Sequence, residues 1–198
     1  MSDYPAILES ENLTGEERAT LLRLARQALE EGVRGRPLTR LKLSKFPARL
    51  RQPGATFVTL TIAGQLRGCI GSLEPKIPLV EDVREHAVAA ALDDYRFPQV
   101  HPEELPYIHI EISRLTTPQQ LDYQDPEDLL RRLRPGVDGV VIKDGMRRAT
   151  FLPQVWEKVP EPDIFLSMLC QKMGASGDLW RRKKLEVFVY RVEEIHES

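Results

Sequence analysis

The stretch LRGCIGSLEP, Leu66 to Pro75, sets Arg67 and Cys69 two residues apart, with Gly68 between them and Gly71 just beyond. A guanidinium beside a thiol favours the thiolate, the form that attacks electrophiles and displaces leaving groups. Arg67 and Cys69 could therefore form a nucleophilic centre with an anion-binding neighbour. The competing reading of Cys69 is a small buried hydrophobe, the usual role of free cysteine. Gly68 and Gly71 weaken a strand unless something approaches its backbone closely, either a packed helix or a ligand. Further along, DDYRFPQVH offers Arg96 just after Asp93 and Asp94, as an anion-binding residue held by carboxylates, and His101 in a loop, so Arg67, Gly68, Gly71, Arg96 and His101 are candidate cleft residues around Cys69. The structural alternative for Arg96 is a helix end followed by a turn, since Pro98 turns the preceding residue away from helix.

Other chemistries find less support. No His-x-x-x-His or Cys-x-x-Cys spacing points to a metal. Neither the phosphate-loop pattern nor Gly-x-Ser-x-Gly is present, which removes the common nucleotide-hydrolase and esterase readings. No metal or cofactor is expected. His86 falls on the alanine-rich side of a helix and reads as a core histidine bonded to a neighbour, although a Cys–His pair brought together by the fold is a further possibility.

The elements that must position these residues follow from periodicity. Thr14-Gly-Glu-Glu17 is a capping box. The helix after it carries Leu21, Leu22, Ala25, Ala28 and Leu29 on one face and ends at Gly32 or Gly35. In FVTLTIAGQLRGCIG, Val58, Leu60 and Ile62 alternate with threonines, the pattern of a half-buried strand, and Gly64 supplies a turn. Alternation puts Arg67 and Cys69 on one face. A two-residue Gly64-Gln65 turn would pair Leu60 with Cys69 and Ile62 with Arg67. A three-residue Ala63-Gly64-Gln65 loop would pair Thr59 with Cys69 and Thr61 with Arg67, and burial of Leu66 and Ile70 favours it. A helix from about Pro78 to Leu92, a strand in YIHIEISRL, a short helix from Pro126 to Leu133, a hairpin at Asp144-Gly145, a helix from Pro162 to Met173 and a last strand in KLEVFVYRVEEI complete the chain. Strands and helices mix without a β-α-β rhythm. The fold class is α+β, a largely antiparallel sheet with flanking helices.

The 198 residues suit a single domain 1–198, with room for two lobes. The start of the chain has no signal-peptide run and no stretch approaches the ~18 apolar residues of a membrane span. With only Cys69 and Cys170, a disulfide framework is excluded and a reducing, cytoplasmic setting is expected. The net charge of −2 is uneven: no acidic residue lies between Glu31 and Glu74, a window carrying eight arginines and lysines. That stretch is either a solvated basic surface or a site for an anionic partner, a phosphate-bearing ligand or RNA. RNP-type aromatics, zinc-finger spacing and a recognition helix are missing, so nucleic acid is the less expected partner.

FVTLTIAGQLRGCIGSLEP, with YRFPQV at 95–100, LPYIHIEISRLTTPQQL, FLPQVWEKVP and FLSMLCQKMG, resembles the AMMECR1 domain family over residues 14–195, closest to the branch called AmmeMemoRadiSam system protein A. Gln99 stands where the family usually has a second proline. The resemblance implies a compact α+β domain of two lobes with the signature near the cleft between them. It implies partners too, because bacterial members are commonly encoded beside a Memo-like protein and a radical SAM protein. It assigns no reaction. Three functions therefore stand open. One is an accessory or modification-linked partner of those two proteins. The second is an enzyme using Cys69, with Arg67 and Arg96 holding a small anionic substrate. The third is an RNA-binding protein using the basic 34–51 stretch.

Overall fold

The computed structural model describes residues 12–197. The chain forms two compact units, one of residues 12–115 and 193–197, the other of residues 116–192. Each has its own sheet and its own apolar core.

The first unit begins with α1 (Gly15–Val33). Its capping box is formed: Thr14 Oγ1 accepts from Glu17 N, and the Glu17 carboxylate accepts from Thr14 N. Leu21, Leu24, Ala25, Ala28 and Leu29 are buried on one face, with Leu24 in the deep position expected for Leu22. A connection holding a short 3-10 turn, Leu43–Lys45, and the one-turn helix α2 (Ala48–Arg51) leads to β1 (Pro53–Ile62) and β2 (Gln65–Gly71). A short β3 (Ile77–Pro78) pairs with the start of β1, and α3 (Leu79–Leu92) follows directly. After a 3-10 segment, Pro102–Tyr107, β4 (Ile108–Leu115) pairs antiparallel with β1.

The second unit holds β5 (Gln119–Gln120), α4 (Pro126–Arg132), β6 (Gly139–Asp144), β7 (Arg147–Phe151), α5 (Pro162–Lys172), α6 (Leu179–Arg182) and β8 (Glu186–Tyr190). Its sheet runs β5-β8-β6-β7, and all three pairings are antiparallel. Trp156 and Phe165 stack face to face in its core, and the Trp156 indole donates to Asp138 O. The expected single last strand is two: β8 lies in this sheet, whereas β9 (Val192–His196) completes the first unit's sheet, ordered β2-β1-β4-β9. The break falls at Arg191, whose N–H donates to Thr116 Oγ1 and whose carbonyl accepts from Thr116 N. These bonds pin the place where the chain leaves one ladder for the other.

Helices cover one face of the first sheet. Val58, Leu60, Ile108, Ile110 and Ile112 join Leu21, Leu29, Val83, Ala87 and Ala90 in one core. Gly68 is the closest point of that packing: a Cβ there would lie 2.0 Å from Ala90 O. The absent side chain lets the α3 backbone sit against β2, so the close approach is by a helix. Gly71 serves the sheet itself, because a Cβ would collide with the backbone of Thr56 and Phe57.

The hairpin register differs in part from expectation. Thr59 does oppose Cys69, but Thr61 opposes Leu66, and Ile62 opposes Gln65. The turn is the two residues Ala63 and Gly64, both at positive φ (50° and 76°), a geometry that matches the twist of paired strands. The register shifts between Leu60 and Thr61, making Arg67 the extra, unpaired residue of a bulge. One added residue reconciles the tight turn with burial of Ile70.

Gly68→Ala is expected to force α3 off the sheet and to destabilise the protein by roughly 3 kcal/mol. Urea unfolding of G68A measures this, and stability within about 0.5 kcal/mol of the parent would contradict the packing described.

Candidate functional site

β2 is an edge strand, so one side of its backbone has no ladder partner. At Cys69 that side is occupied by two side chains from the turn after α3. Asp94 Oδ2 accepts from Cys69 N at 2.8 Å, and Arg96 Nη2 donates to Cys69 O at 3.1 Å. The two side chains are also bonded to each other, with Arg96 Nε on Asp94 Oδ1 at 2.9 Å and Nη2 on Oδ2 at 2.7 Å. Arg96 N adds a further bond to Oδ1. Together they imitate the missing neighbouring strand over one residue. Asp94 is buried, and its hydrogen bonds from Arg96, ahead of those from backbone amides, hold its carboxyl well below the usual carboxylate range.

Arg67 is held by the same segment. Its Nε and Nη2 form a fork on Glu104, at 2.7 and 3.0 Å, while Nη1 reaches Pro98 O at 2.9 Å and Nη2 reaches Gln99 O at 3.3 Å. Glu104 also accepts from His101 N at 2.8 Å, so His101 takes part through its backbone. The Arg67 fork, ahead of the His101 amide, keeps the Glu104 carboxyl low. Gln99 makes a contact that proline could not: its side-chain Nε2 donates to Leu92 O at the end of α3. The bulge aims Arg67 at this segment, and no guanidinium hydrogen-bonds the Cys69 thiol among the described residues.

The thiol points to the sheet face away from α3, where Sγ accepts from Thr59 Oγ1 at 3.3 Å. Thr59 opposes Glu111 on β4, and Glu111 Oε2 lies 3.5 Å from His196 Nδ1 on β9. Cys69, Thr59, Glu111 and His196 thus form one polar row across the sheet. Cys69 is half-buried, and Cys170 is fully buried in the other unit, where desolvation raises its thiol.

His86 belongs elsewhere. Thr56 Oγ1 donates to Asp82 Oδ2 at 2.7 Å, and His86 Nδ1 lies 3.2 Å from the same oxygen. This cluster lies between α3 and β1, on the opposite side of the sheet from the thiol. The site therefore gathers Arg67, Gly68, Cys69, Arg96 and the His101 backbone along the edge of β2, with Gly71 two pairings beyond Cys69, and separates all of them from His86. Glu104 was not singled out in the sequence, whereas Thr59 was placed opposite Cys69 by the favoured register. Glu104 had one signal, its place three residues after His101 in a Pro-Glu-Glu opening of a helical turn.

A model of the AMMECR1 family matches residues 22–195. A protein of Methanothermobacter thermautotrophicus is 40% identical over 187 residues, covering 94% of this chain and 97% of its own length. One from Thermofilum pendens is 37% identical and covers 91% of this chain and 90% of its own. Among solved structures, the uncharacterized protein PH0010 from Pyrococcus horikoshii superposes with a TM-score of 0.73 at 33% identity, covering 94% of both chains. No helix among the described residues is long and apolar enough to cross a membrane.

The contribution of Asp94 to stability has a defined pH window. Its folded pKa is depressed, so its stabilisation is fully present above the ordinary value of 3.8 and is lost as the pH falls below it. Asp94→Asn is expected to cost about 2 kcal/mol at pH 7. The gap between variant and parent should narrow in urea titrations carried below pH 3.8. A gap of the same size at every pH would contradict the clasp.

Proposed function

Since the chain belongs to the AMMECR1 family, we propose that it is a cytoplasmic accessory or modification-linked protein that works by binding a Memo-like and a radical SAM protein. One observation carries a binding role over a catalytic one: both signature arginines are committed inside the chain. Arg67 is forked on Glu104, and Arg96 is forked on Asp94. A guanidinium already paired with a carboxylate offers little to an anionic substrate.

What the segments held by the clasp and the Arg67 fork present instead is exposed apolar side chains. Tyr95 stands between the two clasp residues and is 94% exposed. Leu66 on the bulged strand and Tyr107 at the end of the 3-10 segment are exposed as well. Exposed tyrosines on a rigid backbone are common binding anchors, because little conformational entropy is lost when they are covered. The resemblance supplies the identity of the partners, and the geometry supports the manner of contact.

The catalytic alternative rests on Cys69. Its thiol is half-buried and receives the Thr59 hydroxyl, an arrangement that could support attack on a small substrate. That reading requires Cys69 to react faster than a free thiol. Titration with a disulfide reagent is expected to show no such acceleration, and Cys69→Ser is expected to retain partner binding.

The direct test mixes the purified chain with the Memo-like and radical SAM proteins of the same genome and measures association by calorimetry. Binding to at least one is expected, with Tyr95→Ser weakening it about tenfold, or about 1.4 kcal/mol. Failure of both to bind would overturn the reading.

A further inference from the structure

The acid-free window before β1 is ordered, and its order exposes its charge. Glu31 accepts from both the N–H and the hydroxyl of Thr39, and Arg84 Nη2 donates to Thr39 O at 2.6 Å. Leu41 and Phe46 pack against the core of the first unit, and Leu50 is fully buried. These four anchors fix the strap at intervals. Between and beside them Arg34, Arg36, Arg40, Lys42, Lys45 and Arg51 are exposed.

None of these six side chains has an ion-pair or hydrogen-bond partner among the described residues. Other basic clusters of the chain behave differently. Arg131 and Arg132 pair with Asp128, Arg181 with Asp163, Arg182 with Asp178, and Lys183 with Asp144. Those clusters are matched by carboxylates, whereas the six cations of the strap are not. Six like charges held together repel one another, and a closely spaced polyanion would relieve that repulsion.

The side chains narrow the polyanion. Four of the six are arginines, whose planar forks suit phosphate oxygens. Only two large aliphatic side chains of the strap, Leu38 and Leu43, are exposed, each at 37%, a small apolar area beside the large insertion faces that hold proteins in lipid. The only aromatic residue of the strap, Phe46, packs inward and is not free to stack on a base. We infer that residues 34–51 bind the phosphate backbone of nucleic acid without reading its sequence. The site is separate from the edge of β2 and does not depend on the partners proposed above.

The test is fluorescence anisotropy of the full chain with a labelled single-stranded RNA and a labelled DNA duplex of mixed sequence, at 50 and 200 mM KCl. Binding to both is expected at low salt, with affinity falling on the order of a hundredfold at the higher concentration. Arg40→Glu with Lys42→Glu should weaken binding at least about tenfold. Lys158→Glu with Lys184→Glu, which changes net charge equally on the other unit, should leave it within about twofold. Circular dichroism checks folding, and Arg34→Glu with Arg36→Glu serves as a second strap variant should the first misfold. Absence of binding at 50 mM KCl, equal loss in the strap and control variants, or tighter binding to phosphatidylserine-containing vesicles than to RNA would each overturn the inference.

Discussion

One residue's backbone organises the first unit of this protein. The Cys69 amide and carbonyl lie on the unpaired edge of β2, and Asp94 and Arg96 satisfy both at once. Unsatisfied groups at a buried edge are costly, and an open edge invites pairing with other chains. The clasp answers both problems with two side chains separated by one residue. It requires the turn after α3 to lie beside β2, and that requires α3 to pass close over Gly68. The Arg67 fork on Glu104 then ties the following segment to the same strand. The family signature is thus a joint between a strand and the helix that covers it.

This reading changes what the charged residues of the signature can do. Partly buried ion pairs often add little net stability, since desolvation opposes attraction, but they fix geometry well. Here the geometry fixed is that of the 94–104 segment, with Tyr95 on its outer side. The thiol that made the stretch look catalytic lies on the other face, beside threonine and glutamate, and no guanidinium hydrogen-bonds its sulfur among the described residues. The same principle sets the basic strap apart. The basic clusters of the second unit are matched by aspartates, whereas Arg34, Arg36, Arg40, Lys42, Lys45 and Arg51 are held in place and left open.

Local features were legible in the sequence because their partners are near in the chain. The Thr14–Glu17 capping box, the long helices, the Gly64 and Asp144-Gly145 turns and the alternation in β4 all follow from neighbours within a few residues. The family was legible too, since the signature is long and unusual. Arg67 was harder. Strict alternation placed it beside the thiol, but a bulge depends on reconciling turn type with burial across two strands, which periodicity alone does not resolve. Glu104 is 37 residues from Arg67, and Asp94 is 25 from Cys69, so neither contact leaves a local trace. The split of the last strand was hidden for the same reason. VFVYRVEEI reads as continuous β, and only the contact of Arg191 with Thr116 shows where it changes sheets.

Amide hydrogen exchange at Cys69, followed by NMR, tests the central claim most directly. An edge-strand N–H facing water exchanges through small local fluctuations, whereas one bonded to a buried carboxylate exchanges only through larger opening. The account predicts that the Cys69 amide is protected as strongly as the Thr59 and Leu60 amides of the central strand, and that Asp94→Asn removes that protection while sparing β1. A Cys69 amide that exchanges freely in the parent protein would contradict it.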